Sequence, residues 1–293
     1  MRTSLRLASF AAALGVAAGA AAIAGASLDP LRGDDGGAGH AGAGAHGHGA
    51  PAAVATAPEG HGPAGLSVAE DGYRLDLRTG TLPRGRASEL AFRIIGPDGR
   101  AVRDFDVEHE RRMHLIVVRR DLSGFQHLHP RRDAAGRWSV PITLPEAGVY
   151  RAYADFSSGG RSLTLAGELV VPGPFRPRAL PAASAADETA GYRAELSAEG
   201  LAAGGAAELA YDVRRAGAPV ADLEPYLGAD GHLVALREGD LAFLHVHPEE
   251  SEGVAGRIRF GASFPSPGRY RLFMQFRHDG RVQTVAHTVV VPR

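Results

Sequence analysis

Residues 113–130, MHLIVVRRDLSGFQHLHP, return 118 positions later as residues 231–248, GHLVALREGDLAFLHVHP. In each copy a histidine is followed, after twelve intervening residues, by His-x-His-Pro, so His114, His127 and His129 correspond to His232, His245 and His247. A unit that recurs with fixed internal spacing is expected to fold alike in both places, and the chain reads as two copies of one domain. A length of 293 residues leaves room for two domains of roughly 100 to 150 residues and for connecting segments.

The text around each copy alternates apolar and polar residues in short runs bounded by Gly and Pro, the pattern of half-buried strands. GYRLDL, ELAFRII, HLIVVRR, FQHLH, RWSVPITL, VYRAYADF and RSLTLAGELVV give about seven strands in the first copy, and the second repeats their order. No long stretch has helical periodicity. The expected fold class is all-β, two tandem immunoglobulin-like β-sandwich domains at residues 66–173 and 189–293, joined by a Pro-rich linker at 174–188. Tyr150 and Tyr270, each two residues after a glycine at a strand start, fit the tyrosine corner of such sandwiches, where a phenol bonds to backbone.

Before the sandwiches lie two further segments. Residues 1–28, with Arg2 and Arg6 ahead of an Ala-rich apolar stretch and Ala24-Gly25-Ala26 near its end, read as a signal peptide or an N-terminal anchor. Residues 29–65 hold so few large apolar groups that burial cannot offset the entropy of ordering them, and they read as a disordered His/Gly/Ala-rich tether carrying His40, His46, His48 and His61. The expected location is therefore secreted or extracytoplasmic, with membrane tethering if the N-terminal segment is not cleaved. A net charge of -1 with no block of like charge gives no basis for nucleic-acid binding. There is no cysteine, so any metal is held by nitrogen, oxygen or thioether.

The chemistry of the repeat is imidazole chemistry. Positions i and i+2 of a strand share a face, so His127 and His129 point together, as do His245 and His247. If HLIVVRR turns through Asp121-Leu122-Ser123-Gly124 into FQHLH with paired numbers summing to 243, His114 comes opposite His129 and three ligands converge. Gln126 and Leu128 lie on the other face, the better candidate for the core, which turns the histidines outward or toward the other domain. The predicted metal ligands are His114, His127, His129, His232, His245 and His247. Met113 and Met274 are the available thioethers, which would favour Cu(I). His109, His278 and His287 have no counterparts between copies and read as surface or edge residues, with His287 the best placed of them to be buried. His245 and His247 with Glu252 resemble a cupin metal spacing, but Ala134 stands where the first copy needs its carboxylate, and no nucleophile–base pair or phosphate loop is present. No enzymatic activity is expected.

On the segments HLIVVRRDLSGFQHLHP and YLGADGHLVALREGDLAFLHVHP, with the YADF and FMQF strands after them, the chain resembles exported bacterial proteins built of tandem immunoglobulin-like YtkA/FixH-type, CopC-like modules. The resemblance spans about residues 66–293. It implies an exported metal-binding protein, copper ahead of zinc, that buffers the ion or passes it to a membrane or exported copper-handling protein. The alternative reading is a metal-independent secreted or cell-surface β-sandwich interaction module.

Overall fold

The computed structural model describes residues 63–244, 246–249 and 253–293. The expected signal segment and nearly all of the expected tether lie outside the described residues, as do His245 and Glu252. In the first copy the strands are β1 (Ala69–Glu70), β2 (Tyr73–Leu77), β3 (Ser88–Ile95), β4 (His114–Arg119), β5 (Gln126–Leu128), β6 (Arg131–Arg132), β7 (Trp138–Ile142), β8 (Gly148–Ser158) and β9 (Arg161–Val171). In the second they are β10 (Ala186–Thr189), β11 (Tyr192–Glu199), β12 (Ala206–Arg215), β13 (Ala218–Pro219), β14 (His232–Arg237), β15 (Phe243–Leu244), β16 (His247–Glu249), β17 (Arg257–Ser263), β18 (Gly268–His278) and β19 (Arg281–Val291). No helix occurs among the described residues.

Each copy is a sandwich of two antiparallel sheets. The first pairs β1-β2-β3-β7-β6 with β5-β4-β8-β9, and the second pairs β10-β11-β12-β17-β16 with β15-β14-β18-β19. Apart from the added edge strands, this is the immunoglobulin-like arrangement, with β8 and β18 as the strands that begin at the tyrosine corner. Both corners are made: the Tyr150 hydroxyl donates to the Glu146 carbonyl at 2.9 Å and the Tyr270 hydroxyl to the Ser266 carbonyl at 2.9 Å.

The cores follow from strand alternation. Leu115 and Val117 of β4 pack inward with Phe92, Trp138 and Leu165, and Phe105 meets the Trp138 ring edge-on at 5.1 Å. Leu233 and Ala235 of β14 do the same in the second copy, with Phe260, Leu272 and Met274. The alternate residues of the same two strands are apolar as well, and they form a third core. Ile116, Val118 and Tyr153 from one sandwich meet Val234, Leu236, Phe243 and Phe273 from the other. Phe125 stacks on Phe273 with centroids 4.1 Å apart, and the buried Tyr153 hydroxyl donates to the Leu241 carbonyl at 2.6 Å. Strand β4 is thus buried along its whole length. Its run LIVV, which alternation alone would leave half-exposed, is the signature of a strand covered on both faces.

Segments on either side of the sandwiches are fixed to this junction. The Phe243 amide donates to the Ala64 carbonyl at 2.9 Å, and a Cβ on Gly65 would lie 2.7 Å from the Tyr153 ring and 2.8 Å from Phe243. The linker is held near its middle, by the Arg178 amide on Asp121 and by Arg269 on the Leu180 and Pro181 carbonyls.

Candidate metal centre

The register of β4 with β5 pairs Leu115 with Leu128, Ile116 with His127 and Val117 with Gln126, so paired numbers sum to 243 as the sequence reading requires. His114 starts β4, His127 lies within β5, and His129 follows it on the same face. One ligand nitrogen from each of the three lies within 4.8 Å of the others. The face they share is the one turned toward the second sandwich. His114 is 3% exposed, and His127 and His129 are half-buried.

The second sandwich closes over this cluster. His232, at the start of β14, lies parallel to the His114 ring at 5.6 Å and stacks on His127 at 4.8 Å. Its cross-strand partner Gln275 presents Oε1 to His127 Nδ1 at 2.7 Å. His109, expected at the surface, instead lies beside the cluster, with its ring 6.1 Å from His114 and 5.7 Å from His232.

Gln275 Nε2 donates to Thr284 Oγ1 at 3.1 Å, which leaves its carbonyl oxygen to accept from His127 Nδ1–H. The Glu108 carbonyl, 3.2 Å from His114 Nε2, can only accept, so that nitrogen carries the other proton. His114 Nδ1 and His127 Nε2 then face each other at 3.0 Å, and with both rings neutral they are the two unprotonated nitrogens. His129 Nε2 is buried and has no hydrogen-bond partner. A second proton on a ring is opposed by burial. It depresses the pKa of His114 against the attraction of Asp155, drives that of His127 well below the ordinary value with help from His114 and His129, and takes His129 down to about 4. Burial thus favours the neutral form of all three rings, whose ligand atoms lie within 4.8 Å of one another. Two nitrogens bound to one zinc at about 2.0 to 2.1 Å sit roughly 3.3 Å apart in tetrahedral geometry, close to the 3.0 Å between His114 Nδ1 and His127 Nε2.

The second triad is not assembled among the described residues. His232 joins the first cluster, His247 lies exposed in β16 of the opposite sheet, opposite Gly261, and His245 is outside the described residues. Met113 and Met274 belong to the cores and not to the histidine cluster: Met113 is 1% exposed in the first core and Met274 0% in the second. His278, expected at the surface, is buried between Tyr192, at 2.7 Å from Nδ1, and Asp222, at 3.0 Å from Nε2. His287 is buried, with Nε2 donating to the Ala194 carbonyl at 3.3 Å. Gln275 and His109 could not have been picked from the repeat, since Asp155 stands at the position of the first and Leu227 at that of the second.

A family model described as a domain of unknown function, DUF8832, matches residues 67–173 and again residues 186–293. The chain belongs to the DUF8832 family. Its two matched segments correspond to the two sandwiches, so one DUF8832 copy supplies the three converging imidazoles and the other covers them. No curated protein matches the DUF8832 chain. Among solved structures it is similar to the Escherichia coli adhesin FdeC, at 15% identity over 76% of this chain and 65% of that one, with a TM-score of 0.27. It is also similar to Yersinia pseudotuberculosis InvD, at 11% identity over 76% of this chain and 58% of that one, with a TM-score of 0.25. A third is invasin, a bacterial integrin-binding protein, at 12% identity over 73% of this chain and 38% of that one, with a TM-score of 0.21. The chain thus spans less than two thirds of the length of these structures.

Proposed function

We propose that this tandem immunoglobulin-like protein binds one metal ion between its sandwiches, through His114 Nδ1, His127 Nε2 and His129 Nε2, and acts as an exported buffer or carrier of that ion. The observation that carries the reading is the pair of facing ring nitrogens of His114 and His127, 3.0 Å apart, beside the partnerless buried nitrogen of His129. Imidazole nitrogen suits copper and zinc alike, and the resemblance to CopC-like modules puts copper first. Three protein ligands leave a coordination position open, which suits an ion that is passed on to a membrane or exported partner. With Met113 and Met274 in the cores, no thioether among the described residues favours Cu(I) over Cu(II).

The test is a titration of the purified untagged chain with Cu(II), Cu(I) and Zn(II), beside a His127→Ala/His129→Ala variant and a His247→Ala variant. Wild type and His247→Ala should take up one ion tightly and the double variant should not. Equal uptake by all three would assign the binding to the other histidines and sink the reading. The packing of the histidine rings within the junction also suits a second reading, a metal-independent cell-surface module whose imidazoles brace two sandwiches. It predicts that the double variant loses stability and that no added ion alters the wild type.

A further inference from the structure

Gln275 belongs to the second sandwich, yet the ring it holds belongs to the first. It is 6% exposed, and its amide is gripped from behind by Thr284 of β19, so the carbonyl oxygen is aimed at His127 Nδ1. The first sandwich builds the same pair in its own strands, where Thr164 Oγ1 donates to Asp155 Oδ1 at 2.7 Å and Asp155 stands across from His114. The glutamine version is the one that accepts across the junction from a ring of the other sandwich. A neutral imidazole in water distributes its proton between two nitrogens, and an acceptor fixed at Nδ1 selects the form whose Nε2 is free to bind a metal.

We propose that Gln275 is the positioning residue of the metal centre, so that one sandwich supplies the ligands, the other sets their tautomer, and ion binding and closure of the junction strengthen each other. This rests on the metal reading above. The coupling is reciprocal by necessity: whatever the closed junction adds to ion affinity, the ion adds to the closed junction. Phe243, whose amide bonds to Ala64 across that junction, reports on it directly.

The experiment uses the full chain with Co(II), read by its electronic spectrum, and with Zn(II) in competition. Gln275→Leu removes the acceptor, and Gln275→Glu replaces it with a stronger one. Loss of an orienting partner of this kind typically weakens metal binding about 10- to 100-fold. Gln275→Leu should show that loss together with a lower metal-free melting temperature, since His127 Nδ1–H is left without its acceptor, and rescue of the affinity by Gln275→Glu separates positioning from mere packing. Gln275→Glu should bind at least as tightly as wild type, and Zn(II) should slow hydrogen exchange at the Phe243 amide in wild type but not in Gln275→Leu. If wild type binds metal and both variants match it, or if Gln275→Glu fails to restore what Gln275→Leu loses, Gln275 is not the positioning residue and the metal reading stands. Unaltered Phe243 exchange on binding removes the coupling alone. A wild type that binds neither ion removes the metal reading and this inference with it.

Discussion

His129 presents an unusual trade at the scale of a single side chain. Its Nε2 is buried without a partner, a condition that costs about 1 to 3 kcal/mol in the absence of an ion. Replacing the ring with an apolar one of similar reach removes that unpaired nitrogen. His129→Leu should therefore leave the metal-free chain as stable as wild type or more so, by up to about 1 kcal/mol in thermal melts, while abolishing any stabilisation by added copper or zinc. A loss of several kcal/mol in the metal-free melt would show that His129 is structural. The spacing of the repeat made His114, His127 and His129 readable because a hairpin register is a local property. His109 was not readable: it reaches the cluster from an irregular loop, in a left-handed conformation at φ 46°, and nothing in its neighbours signals that position.

One element difference explains why two equal sequence motifs end in unequal places. Extending the β6–β7 pairing back from Arg131 and Ser139 would bring His129 opposite Pro141, whereas in the second copy His247 pairs with Gly261. Proline has no N–H, so the first ladder cannot grow back to His129, and the ring stays with β5. Glycine imposes no such limit, and β16 carries His247 away to the opposite sheet. The His-x-His-Pro text is identical in both copies, so this outcome is written in the partner strand, out of reach of any reading of the motif. Pro141→Gly should let β6 lengthen, draw His129 from the cluster and weaken metal uptake, with little effect on melting temperature. Unchanged affinity would refute this account of the crossover.

The ends of β4 and β14 differ in the same graded way. Arg119 is 1% exposed and binds Asp121 at 2.6 Å and Glu146 at 2.5 Å, holding the Asp121 carboxyl down at about 2 against its burial. The corresponding Arg237 pairs with Asp240 in a more exposed setting. Removing one partner of a buried pair strands the other charge, so Arg119→Ala should cost about 3 to 5 kcal/mol. Arg237→Ala should cost distinctly less, since pairs nearer the surface contribute about 1 kcal/mol or below. Equal losses in denaturant titrations would contradict the difference in burial.

Across the whole molecule, buried imidazoles set the response to acid. His114, His127, His129 and His287 all have pKa values below the ordinary 6.5, burial being the first cause in each, and His129 lies at about 4. As pH falls from neutrality the unfolded chain takes up these protons before the folded one does, so stability rises with pH across roughly 4 to 6.5 and is lost on acidification through that window. Urea midpoints of the metal-free chain measured from pH 7.5 to 5 should fall steadily, and His287→Gln should flatten the curve. A flat wild-type profile would mean that these rings are not neutral and enclosed. The all-β class and the paired sandwiches were legible because alternation and turn residues act locally. The face-to-face contact was legible only as the run LIVV, and the partner it met could not be named from the sequence.

Trp138 is the chain's single tryptophan, and it lies in the core of the first sandwich. Its emission therefore watches one half of the molecule alone, whereas far-ultraviolet dichroism sums over both. With Val234, Leu236 and Phe273 of one half packed on Ile116, Val118 and Tyr153 of the other, neither half can melt without stripping the shared layer from its neighbour. The two optical signals should follow one curve on heating. A fluorescence midpoint displaced from the dichroism midpoint would reveal halves that come apart before they unravel.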